Sequence, residues 1–78
     1  MKKLEPISDL GLIAGLMSLG YSPVGRIKEG RRVIFNFEWD ENMESLKNDY
    51  FNHALNVDAQ TFHITLKSVK SSIYQMEE

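Results

Sequence analysis

The chain is expected to adopt an α+β fold: a single small domain, ordered α-β-β-α-α, with an antiparallel hairpin packed on three helices. Three observations support this. Apolar residues recur at helical spacing between Leu10 and Leu19. Two alternating runs, Tyr21 to Ile27 and Val33 to Trp39, flank a Lys28-Glu29-Gly30 turn. Beyond Trp39, two further segments repeat apolar residues every three or four positions.

Residues 1–7 read as a loose lead-in. Ser8 or Asp9 then caps the first helix, because a side-chain oxygen there accepts from a free first-turn amide. Leu12, Ile13, Leu16, Met17 and Leu19 supply its apolar stripe. Gly11 and Gly15 each weaken it by roughly 1 kcal/mol relative to alanine, a cost that close approach by another backbone would offset. Gly20 occupies the left-handed cap position, and Pro23 bars continuation.

Parity sets the expected hairpin register. Tyr21, Pro23, Gly25 and Ile27 on one strand, and Val33, Phe35, Phe37 and Trp39 on the other, are all odd-numbered. Side chains alternate faces, so both sets share one face only if partner numbers sum to an even value. A three-residue Lys28-Glu29-Gly30 loop does this, pairing Ile27 with Arg31 and Arg26 with Arg32. The odd face packs on the helices. The outer face then carries Val24, Arg26, Arg32 and Ile34 together.

Asp40 or Asn42 caps the second helix, with Glu41 and Glu44 near its positive end. Met43, Leu46, Tyr50 and Ala54 line one face, with Phe51 and Leu55 beside them and a stop at Asn56. Asp58 caps the third helix, and Val57 staples onto Phe62. Phe62, Leu66, Val69, Ile73 and Met76 face inward, and Gln60, His63, Lys67, Lys70 and Tyr74 face outward. Residues 75–78 read as a frayed tail.

Composition narrows the function classes. The chain has 78 residues, no cysteine and a net charge of −2. Disulfides and thiolate metal sites are therefore excluded, and a dedicated, strongly basic DNA binder is disfavoured. The most apolar window, Leu10 to Leu19, is half the roughly 20 residues a membrane span needs. A cytoplasmic protein is expected.

No catalytic signature emerges, so no enzyme is expected. The five glycines lack the spacing of a phosphate-binding loop. Glu38, Asp40, Glu41, Glu44 and Asp49 lack the glycine and spacing of a calcium loop, and helix-start placement accounts for three of them. His53 and His63 are expected on different helices, with no cysteine and no His-rich spacing, so no metal or cofactor is expected. Met17, Met43 and Met76 read as core filling.

Two surfaces remain. The outer hairpin residues Val24, Arg26, Arg32 and Ile34 combine apolar and guanidinium groups, a composition suited to a protein interface. The basic hairpin tip, Arg26, Lys28, Arg31 and Arg32, together with Lys67 and Lys70, is suited to phosphate contact.

Short motifs also run along nearly the whole chain: Asp9-Leu10-Gly11-Leu12-Ile13-Ala14-Gly15-Leu16, Gly20-Tyr21, Phe35-Asn36-Phe37, Tyr50, Val57-Asp58-Ala59, Phe62, Leu66-Lys67 and Ile73-Tyr74. In these the chain resembles a small uncharacterised family of phage and bacterial proteins, one of the catalogued domains of unknown function. It departs from that pattern at Asn52 to Leu55, where a Gly-Glu turn would be expected. The resemblance implies a mobile-element setting and supplies no activity. The resulting expectation is a non-enzymatic protein that binds another protein and inhibits a host or defence protein. The alternatives are a nucleic-acid-binding accessory protein and a homodimeric structural module.

Overall fold

The α-β-β-α-α succession is present and is preceded by a strand. In the computed structural model, which describes residues 3–76, the elements are β1 (Lys3–Ile7), α1 (Leu10–Ser18), β2 (Gly25–Glu29), β3 (Arg32–Trp39), α2 (Glu41–Phe51) and α3 (Ala59–Met76). The fold class is α+β. The sheet is antiparallel and three-stranded, in the order β1-β3-β2.

Residues 3–7, expected as lead-in, pair with β3 from Lys3 opposite Trp39 to Ile7 opposite Phe35. Pro6 disguises this strand, because proline donates no ladder hydrogen bond and is tolerated only at an edge, where β1 lies. The expected frayed tail is likewise corrected, since Gln75 and Met76 continue α3. Residues 1–2 and 77–78, and the Met76 side chain, lie outside the described residues.

The caps follow the sequence closely. Asp9 accepts from the Leu12 amide at 3.0 Å, Asp40 from Met43 at 2.9 Å, and Asp58 from Thr61 at 2.9 Å. At the end of α1 the Gly20 amide donates to the Met17 carbonyl and the Tyr21 amide to Leu16, with Gly20 at φ 102°. This paired closure satisfies carbonyls that a helix end otherwise leaves free. The end of α2 repeats it, His53 donating to Tyr50 and Ala54 to Asp49. The left-handed position is here taken by His53, at φ 59°. So α2 stops at Phe51 rather than near Asn56.

Five consecutive residues of α1, Leu12 to Leu16, are buried, so this helix is enclosed on every side. They join Ile7, Val33, Phe35 and Phe37 from the sheet, Met43 from α2 and Val69 from α3 in one core cluster. Met43 does fill the core, and Met17 packs against it. The close approach expected at the α1 glycines is made by side chains, not by backbone. A Cβ on Gly11 would collide with the Tyr50 hydroxyl, and one on Gly15 would lie 3.1 Å from a Leu55 methyl.

The hairpin register differs from expectation. Ile27 pairs with Ile34, Arg26 with Phe35, Lys28 with Val33 and Glu29 with Arg32. The loop is therefore the two-residue Gly30-Arg31, not Lys28-Glu29-Gly30. Gly30 has φ 63° and Arg31 does not have positive φ, as in the turn whose twist suits a two-residue hairpin with glycine first. All five residues of β2 are exposed, so no buried face enforces its parity. Turn chemistry sets the register instead.

Candidate functional site

Residues directly opposite in a ladder share a face, so this register decides where each candidate points. Arg26 and Lys28 lie opposite the buried Phe35 and Val33, on the helix side of the sheet. Arg32 and Ile34 lie on the outer side, opposite Glu29 and Ile27. The four residues expected to form one outer surface are thus divided. Arg26 does not face Arg32, and Val24, just before the ladder begins and donating its amide to the Asn36 carbonyl, lines the same hollow as Arg26.

That division opens a cleft. A concavity of about 300 Å³ lies between the exposed strand β2 and α3. Phe35, Val69 and Met17 line it with apolar surface. Val24 and Arg26 line the β2 side, and Ser68 and Ser72, one helical turn apart, line the α3 side. A concave apolar surface with a few converging polar groups is the usual form of a binding site. Val24 is 56% exposed although it borders this hollow. Among the described residues, no ion pair holds Arg26 or Lys28.

The cleft-forming role of Ser68, Ser72 and Met17 escapes sequence reasoning. Its one signal is two small polar residues flanking an apolar one, at i and i+4 on α3.

The outer sheet face carries Leu4, 54% exposed, Ile27, 52% exposed, and the half-buried Ile34. No described helix covers it. The remaining candidates meet elsewhere. Arg31 and Arg32 border a shallow depression with Leu10 and Ile73, and Lys70 and Tyr74 border a second one sharing those two residues. Lys67 is exposed on α3 but lines neither depression.

The polar contacts elsewhere serve to hold elements together. The Trp39 indole donates to Glu44 at 2.6 Å, and the Lys47 ammonium stands 5.9 Å from the Trp39 ring centroid and 3.5 Å from Glu5. The Tyr50 hydroxyl donates to Asp9 at 2.8 Å, tying α2 to the start of α1. Desolvation, then the Asp9 hydrogen bond and charge, push the Tyr50 phenol above its ordinary value. Hydrogen bonds from the Thr61 amide and hydroxyl hold the Asp58 carboxyl below the usual range. Among the described residues, no group of three His, Cys, Asp or Glu side chains could hold a metal ion. No described helix is long and apolar enough to cross a membrane.

A sheet with helices on one face and a cleft beside an edge strand defines this molecule as a small α+β domain. Residues 2–75 match the family described as Domain of unknown function (DUF5659), and the chain belongs to that family. No curated protein and no solved structure matches it.

Proposed function

We propose that this protein is a non-catalytic binding module that engages another protein through the cleft between β2 and α3. The observation carrying this reading is the cleft itself: an apolar floor of Phe35 and Val69, with Val24 at its edge beside Arg26, which has no ion pair among the described residues. Guanidinium groups beside exposed apolar residues favour protein contact, because the planar fork binds carboxylates bidentately while its stem covers apolar surface. Occupying a partner's working surface is how so small a protein would inhibit a host or defence protein in the cytoplasm of a cell carrying a mobile element.

Affinity capture with three baits tests it. Wild type and the outer-face variant Ile27→Lys should retain the same partner, and Val24→Glu combined with Arg26→Glu should lose it. Equal retention by all three baits, or loss confined to Ile27→Lys, refutes the reading.

A second reading, nucleic-acid binding, is favoured by the adjoining depressions that gather Arg31, Arg32, Lys70 and Tyr74. Three phosphate contacts would make log affinity fall with log salt at a slope of about −3. A flat salt response disposes of it.

A further inference from the structure

We infer that the free edge of β2 accepts an extended, acidic segment of a partner protein as a fourth strand, with an apolar side chain of that segment seated in the cleft. This rests on the reading of the cleft as a protein-binding site.

Among the described residues, strand order leaves β2 with β3 as its sole neighbour, and every β2 residue is exposed. In a ladder closed by a two-residue turn, the flanking pair exchanges hydrogen bonds and the next does not. Counting from Glu29 and Arg32, Arg26 and Lys28 therefore turn their N–H and C=O groups away from β3. An added strand would satisfy them, as in other cases of β-augmentation.

Side chains choose the occupant. Arg26 and Lys28 stand two residues apart on the cleft side, about 7 Å from each other, with no ion pair among the described residues. Side chains of an added strand directly opposite them share that side. Carboxylates at i and i+2 would meet both cations, and an apolar residue two positions further would reach the cleft beside Val24.

A second copy of this chain fits poorly. Two-fold antiparallel pairing about an axis normal to the sheet keeps each side chain on its face, so partner numbers must sum to an even value. Centring the pair on Ile27 sets Arg26 against Lys28. Centring it on Arg26 or Lys28 sets that residue against its own copy. These three central registers all oppose cation to cation, which is how edge strands are kept from self-pairing; those centred on Gly25 or Glu29 avoid it only by sliding most of one strand off the other. The same charges favour an acidic strand.

The test uses the full chain and a fluorescein-labelled peptide, Thr-Leu-Thr-Glu-Thr-Glu-Thr-Leu-Thr, whose symmetric pattern serves either strand direction. A control peptide carries lysine at both glutamates. Anisotropy should show the acidic peptide binding at least about tenfold tighter than the control. The double variant Arg26→Glu/Lys28→Glu should reverse that preference. Amide exchange should slow at Arg26 and Lys28 on binding. Lys28→Pro, which removes an outward donor, should bind at least about threefold more weakly than Lys28→Thr. Circular dichroism of each variant confirms that it is folded.

Absence of peptide binding, or equal binding of both peptides, overturns the acidic strand. Binding that shifts Val24 and Val69 resonances while leaving the edge amides unprotected overturns strand addition and leaves the cleft reading standing. A concentration-dependent dimer protecting those amides overturns it in favour of a second copy. If the captured partner is lost with Val24→Glu yet indifferent to Lys28→Pro and to the charge reversal, this inference alone falls.

Discussion

Replacing His53 by glycine should stabilise the protein. His53 occupies the left-handed position that closes α2, at φ 59°, where its amide donates to the Tyr50 carbonyl. A side chain bearing a Cβ costs roughly 1–2 kcal/mol in that conformation. Glycine removes this strain but gives the unfolded chain more freedom, which returns about 0.4–1 kcal/mol. The net gain is about 0.5–1 kcal/mol, because the exposed imidazole contributes little packing. For a domain of this size, that raises Tm by about 3–6 °C. Urea denaturation followed by circular dichroism measures it: the midpoint should rise with the slope unchanged. Two comparisons sharpen the result. His53→Ala keeps the strain and should gain nothing, and Asn52→Gly, at an ordinary φ of −92°, should lose stability. A midpoint for His53→Gly at or below that of His53→Ala would refute the reasoning. Glycine at this position would close the helix without strain.

Gly11→Ala should destabilise by about 1–3 kcal/mol, because the added methyl meets the Tyr50 hydroxyl, and the loss should shrink in a Tyr50→Ala background. Phe37→Ala empties the centre of the core, where Phe37 is 0% exposed. A loss of about 3–5 kcal/mol should leave so small a domain largely unfolded at 25 °C by circular dichroism. The Tyr50 phenol is raised, so its contribution is complete below its ordinary value near 10 and is lost as pH climbs through the folded value. Tyr50→Phe should accordingly flatten the alkaline limb of a stability profile. The Asp58 carboxyl is lowered, so its contribution is present above the ordinary value of 3.8 and is lost as pH falls through the folded value. Asp58→Asn should remove that part of the acid limb.

Helix starts were legible because each depends on one short-range event, an aspartate oxygen meeting an amide three residues on. Asp9, Asp40 and Asp58 all do this. The inner stripe of α3 was legible because Val69 and its neighbours face a core that rewards period. β1 was not, since Pro6 argues against a strand and Leu4 points to the open face. The end of α2 was not, because a histidine fills a place that composition assigns to glycine. Of the residues lining the cleft, the sequence singled out Val24 and Arg26, but for an outer face shared with Arg32 and Ile34. Their partners were not legible, since Met17, Phe35, Ser68 and Ser72 come from three other elements and converge only in the fold.

The error in β2 and the interest of β2 have one cause. Parity reveals register only where one face of a strand is buried, and β2 buries neither face. Its Ile27, the residue that made the odd face look inward, is half-exposed on the outside of the sheet. A strand left this open would ordinarily be short, charged and protected from self-pairing. β2 is five residues long and carries Arg26 and Lys28 on its cleft side, which meets all three conditions. The features that make it safe as an edge also restrict what may pair with it. Cations two residues apart repel a copy of themselves and attract carboxylates of the same spacing. If β2 takes a fourth strand as proposed, the strand least constrained by the fold is also the one most selective toward a partner, and the cleft beside it would supply the apolar contact that a charged edge lacks.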